Sequence, residues 1–104
     1  MNEVRIILFS AANAEEAARI GRTLVEERLA ACVNVLPSIR SIYRWEGKVQ
    51  DGPEAMGIVK TREERAAEAV ERIRQLHGCL VPETLVLPVE GGNPVYLKWV
   101  AEST

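Results

Sequence analysis

Apolar residues run almost without a break from Val4 to Phe9, which predicts a short strand buried at the centre of a sheet. The pattern then changes period. Ala14, Ala17, Ala18, Gly21, Leu24, Val25 and Leu29 recur at helical spacing, while Glu15, Glu16, Arg19, Arg22, Thr23, Glu26 and Glu27 fill the other face. Asn13 with Glu16 three residues on has the spacing of a capping box, so the helix is expected to start there. Small residues dominate its early apolar positions, which lets it lie close to a sheet.

A second strand is expected from Cys32 to Leu36, interrupted at Pro37-Ser38 and resumed from Ile39 to Trp45. Proline there marks a bulge or an edge, because it cannot donate a ladder hydrogen bond. Glu46-Gly47 reads as the turn of a hairpin. The returning strand starts at Lys48-Val49-Gln50, breaks at Asp51-Gly52-Pro53 and runs on from Glu54 to Lys60. Thr61-Arg62-Glu63-Glu64 has a second capping-box spacing, followed by Ala66, Ala69, Val70, Ile73 and Leu76 on one helical face. His77-Gly78 ends that helix, with glycine at the usual terminal position. A last strand, Thr84 to Val89, and a short helix, Val95 to Ala101, complete the chain.

The order β-α-β-β-α-β plus a terminal helix predicts an α+β, ferredoxin-like (split βαβ) antiparallel sheet with a long bent hairpin. Two helices cover one face of such a sheet and leave the other bare. Tyr43 and Trp45 on the hairpin add apolar surface that one subunit cannot bury, so a homo-oligomer is expected.

Composition narrows the function. The 104 residues fit one domain, 1–104, and 47% apolar with 27% charged residues is ordinary for a globular protein. A net charge of −2 argues against a nucleic-acid binder that relies on bulk positive charge. No apolar run approaches the ~20 residues of a membrane span. The start, Met1-Asn2-Glu3-Val4-Arg5, lacks the basic-then-apolar order of a secretion signal, so a cytoplasmic protein is expected. Two distant cysteines make no disulfide framework and are expected reduced.

Several segments strongly resemble the CutA divalent-cation tolerance proteins. They are Leu24–Asn34 (Leu-Val-Glu-Glu-Arg-Leu-Ala-Ala-Cys-Val-Asn), Ser41–Lys48 (Ser-Ile-Tyr-Arg-Trp-Glu-Gly-Lys), Lys60-Thr61, Val81-Pro82-Glu83, Leu87-Pro88-Val89 and Gly92–Trp99. The resemblance runs in register over nearly the whole chain. It implies a homotrimer built through the long hairpins, an assembly like that of PII signalling proteins, and association with copper and other divalent metals. It also implies metal ligands at the thiol of Cys32 and the imidazole of His77. The family commonly reads His-Pro-Tyr where this chain has His77-Gly78-Cys79, so a second thiol stands beside the imidazole.

Two sulfurs and one imidazole, Cys32, His77 and Cys79, suit copper or zinc. Against ligation, free cysteine is often a buried packing residue and Cys32 sits in an apolar stretch, while His77 stands where a cation favours a helix C-terminus. A second constellation, Lys60, Glu83, Tyr43 and Trp99, could line a cleft between subunits or fix the assembly by an ion pair. Tyr96 and Trp99, three apart on the last helix, read as packing residues, since no basic cluster surrounds them. The leading expectation is a non-enzymatic, cytoplasmic, divalent metal (copper) tolerance protein. The alternative is a PII-like regulatory module that binds a small anion or a partner protein in the cleft. No serine–histidine–acid set, P-loop or glycine-rich phosphate cradle supports an enzyme.

Overall fold

The computed structural model describes residues 3–104; Met1 and Asn2, which entered the reading of the N-terminus, lie outside them. The elements are β1 (Val4–Ala11), α1 (Ala14–Glu26), β2 (Cys32–Trp45), β3 (Lys48–Arg62), α2 (Glu63–Leu76), β4 (Thr84–Pro88) and α3 (Pro94–Glu102). The four strands form one antiparallel sheet in the order β2-β3-β1-β4. The α+β class and the antiparallel sheet match the expectation.

The core lies on one side of this sheet. Ile7, Phe9 and Ala11 of β1 and Ala55 and Val59 of β3 alternate toward α1 and α2, which supply Ala17, Ile20, Leu24, Ala66, Ala69 and Ile73. Small residues let the layers approach. A Cβ on Gly21 would come within 2.9 Å of Val33 Cγ1. Phe9 pairs with Gly57 across the sheet, and its ring fills the space a side chain there would need. Burying that ring contributes roughly 1.5–3 kcal/mol.

Asn13 caps α1, its Oδ1 accepting from Glu16 N–H at 2.8 Å. Glu16 answers by accepting from Ala12 N–H at 2.9 Å, one residue earlier than the usual reciprocal bond. The helix ends with Arg28 left-handed at φ 59°, Leu29 N–H donating to Leu24 O and Arg28 N–H to Val25 O. A non-glycine residue there costs about 1 kcal/mol, but the turn carries Leu29 and Ala30 into the core.

Three expectations are corrected. The second capping box does not form: Thr61 belongs to β3, and its buried hydroxyl donates to Leu29 O at 2.7 Å. Arg62 is the N-cap and makes no side-chain cap bond. Gly78 is not left-handed, because α2 ends at His77 in extended backbone. Finally, β3 runs unbroken through Asp51-Gly52-Pro53. β1 pairs only as far as Ala55, so Pro53 has no neighbour on that side to miss its N–H.

The hairpin turns at Glu46 and Gly47, both with positive φ (50° and 80°), the conformation that matches strand twist in a two-residue loop. Arg40 forks onto Asp51 through two bonds of 2.8 and 2.7 Å, bracing the hairpin where only two strands remain. The Pro37-Ser38 interruption is a bulge. Between the pairs Leu36↔Met56 and Ile39↔Glu54, β2 advances three residues while β3 advances two. Because side chains alternate, this extra residue keeps Tyr43 and Trp45 on the face of Leu36, Met56 and Ile58. That face points away from α1 and α2.

α3 packs against β3 and β1 with Val100 fully buried, and Tyr96 lies against the Cys32 thiol. It covers part of the second face. Leu36, Leu85, Leu87, Tyr96, Trp99, Tyr43 and Trp45 remain exposed.

Gly57→Ala places a methyl against the Phe9 ring, 2.1 Å from Cε1 before relaxation. Both positions are central and buried, so the expected loss is about 3 kcal/mol in a chemical denaturation curve. A loss below about 0.5 kcal/mol would show that the ring does not lie on Gly57.

Candidate functional site

The polar residues gather where β1 ends and α2 releases the chain. His77 caps α2, donating its N–H to Ile73 O at 2.9 Å. Its ring Nε2 lies 2.6 Å from Ser10 O, and the Cys79 N–H donates to Nδ1 at 3.0 Å. A carbonyl oxygen only accepts and an amide N–H only donates. The proton is therefore assigned to Nε2, and the ring is neutral with both nitrogens engaged.

Glu16 completes the cluster. Besides Ala12, its carboxylate accepts from Gly78 N–H at 3.1 Å, and Arg19 Nη2 stands 3.8 Å away. Arg19 Nη1 also donates to Leu76 O at 3.4 Å. Burial works to raise the Glu16 pKa, but the two backbone N–H groups, with the Arg19 guanidinium nearby, outweigh it and hold the carboxyl below its ordinary value. One carboxylate thus ties the start of α1 to the loop after α2. Glycine at 78 supplies an N–H that a proline there could not.

Cys79 is exposed on this loop, and Cys32 is half-buried at the start of β2. Cys32 Sγ lies 3.9 Å from Asn34 Oδ1. Burial, with the Cys32 thiol close by, raises the pKa of the Tyr96 hydroxyl. One chain does not bring Cys32 to the other two candidates. Cys32 pairs with Lys60 and Lys60 with Ile6, whereas His77 holds Ser10, four residues further along β1. That is about 13 Å along the strand, with two strand spacings of ~4.8 Å across. Among the described residues, no group of three His, Cys, Asp or Glu side chains is placed to hold a metal ion.

The second constellation is also spread out. Lys60 lies half-buried on the face away from α1 and α2, between Cys32 and Ile6. Glu83 is exposed just ahead of Thr84, the partner of Phe9, on the far side of β1. Tyr43 stands out on the hairpin opposite Gln50. Trp99 rests against Tyr96 with ring centroids 5.5 Å apart, the packing expected of that pair. An open groove of about 360 Å³ lies between α1 and β2, and one of about 460 Å³ between the ends of α1 and α2. Neither is lined by any candidate residue.

Sequence reasoning found Asn13 and Glu16 as a cap but missed the second role of Glu16 and the part played by Ser10. The capping-box spacing was the available signal. A contact with Gly78, sixty-two positions away, leaves no local trace.

Residues 5–103 match the family described as CutA1 divalent ion tolerance protein. The divalent-cation tolerance protein CutA of Thermus thermophilus is 43% identical over 99 residues, covering 95% of this chain and 96% of its own length. The chloroplastic Protein CutA 1 of Oryza sativa is 41% identical over 99 residues; the chain spans 56% of its length, about half, as for the animal relatives. Among solved structures, the divalent cation tolerance protein of Thermus thermophilus aligns with TM-score 0.94 at 42% identity, over 97% of this chain and 98% of that one.

The Glu16 carboxyl has a folded pKa below its ordinary 4.5, so its bonds stabilise the fold fully above pH 4.5. That contribution fades as pH falls through the lower, folded value. Thermal unfolding of wild type and Glu16→Gln should therefore differ most above pH 4.5, and the gap should close on acidification. A gap that stays constant with pH would remove the carboxylate from this role.

Proposed function

The chain belongs to the CutA1 divalent ion tolerance family, and from that membership we propose that it serves in divalent-metal tolerance. It acts as a cytoplasmic, non-enzymatic homotrimer of single-domain subunits, residues 1–104, that takes up a divalent metal, copper or zinc. The β2-β3-β1-β4 order reads as the ferredoxin-like, split βαβ plan.

The observation that carries this reading is the face the helices leave bare. Leu87, Leu85, Leu36, Tyr43 and Trp45 are 42–53% exposed and share that face from β4 to the hairpin tip. Apolar surface of this extent marks association. Copies meeting through it bury what one chain cannot. In this reading Lys60, Glu83, Tyr43 and Trp99, which one subunit spreads apart, are contributed to the cleft by different subunits.

The metal donors in this reading are the soft thiols of Cys32 and Cys79, which suit copper and zinc. Cys32 opens β2 half-buried beside Tyr96, on the face away from α1 and α2, and Cys79 is exposed, so this reading draws them from different copies to one ion. Among the described residues one chain assembles no three-ligand group, which favours a site shared between copies.

Light scattering at micromolar concentration should give three chain masses, and a stable monomer would remove the assembly. Deleting Ser38 cancels the bulge and turns Tyr43 and Trp45 toward the helix side. The variant should fold by circular dichroism yet fail to trimerise. Calorimetric titration with copper should weaken by about tenfold or more in Cys32→Ser and Cys79→Ser. Unchanged affinity in both would place the metal elsewhere.

A further inference from the structure

We infer that Glu16 and His77 are positioning residues: a two-point pin that fixes the α2–β4 loop, with His77 a neutral fastener and not a metal ligand. The inference deepens the metal reading above and rests on it only for the metal. A histidine ligates through a bare ring nitrogen, usually with the other nitrogen oriented by a hydrogen bond. Here Nε2–H is spent on Ser10 O at 2.6 Å. The lone pair of Nδ1, the remaining donor atom, accepts the Cys79 N–H at 3.0 Å. An ion at Nδ1 would displace that amide, and an ion at Nε2 would displace the β1 carbonyl and the ring proton together.

Glu16 fixes the residue between. Its carboxylate holds Gly78 N–H at 3.1 Å and Ala12 N–H at 2.9 Å, so consecutive amides at 78 and 79 each point at a separate anchor. A Cβ at 78 would press on Glu16 Oε2 at 3.0 Å, so the close approach suits glycine. The loop is therefore stapled to β1 by the imidazole and to α1 by the carboxylate. Only the thiol of Cys79 is left outward for a soft ion.

His77 is the single histidine, so its ring signals are unambiguous in nitrogen-15 labelled protein. A long-range nitrogen–proton spectrum at neutral pH should show the proton on Nε2 and a bare Nδ1. Zinc, a diamagnetic probe, added to saturation should leave that pattern unchanged. A proton on Nδ1, or a large shift of either ring nitrogen with zinc, overturns the pin. Amide hydrogen exchange gives the second readout. Glu16→Ala should speed exchange at Gly78 by about tenfold while Cys79 keeps its protection, and Glu16→Gln should restore most of the loss through its amide oxygen. Equal Gly78 rates in wild type and Glu16→Ala overturn the carboxylate's part. If calorimetry finds uptake of neither copper nor zinc, the metal reading fails, while the tautomer and the exchange rates still judge the pin.

Discussion

Two helices cannot cover both faces of a four-stranded sheet, and this shortage shapes the whole molecule. α1 and α2 lie on one side, and the buried set there, Ile7, Phe9, Val59, Ile20, Leu24 and Ile73, is a single core. α3 then folds back over part of the second side and buries Val100. The hairpin extends the sheet beyond either layer, so its outer half is held by its own cross-strand bonds, the Arg40–Asp51 fork and Arg44 Nη1 donating to Gly47 O.

The core was legible because periodicity reports burial directly. The 3.6-residue spacing of α1 and the continuous run in β1 each have one physical solution next to a sheet. The Asn13 cap and the Glu46-Gly47 turn were legible too, since both are local chemistry. Errors came where a residue with a strong local habit was claimed by a distant partner. Thr61 has the spacing of a cap, yet its hydroxyl reaches Leu29 O in the core. Pro53 breaks most strands, but here the neighbouring strand has already stopped.

The candidate site shows the same divide. Cys32, His77 and Cys79 are chemically suited to one ion, and spacing places the last two side by side. Register, which no single segment encodes, puts Cys32 four rows away from the carbonyl that His77 holds. Around His77 the chain has used backbone amides and carbonyls where a metal site would leave lone pairs free. Elsewhere the helices are joined by a fork of Arg72 onto Glu27, two bonds of 2.8 Å that cross from α2 to the end of α1. Such exposed pairs contribute little individually. The Glu16 cluster is better shielded and ties three segments at once.

The bulge between Leu36 and Ile39 acts as a reading frame for the hairpin. Beyond it every side chain is assigned to one face by odd or even position, so the arm tolerates length changes only in matched steps of two. A lineage of such chains can lengthen or shorten its arm by whole pleats without disturbing which residues look inward. A single unmatched residue would exchange the arm's two surfaces at one stroke, leaving its sequence nearly intact and its outward chemistry inverted.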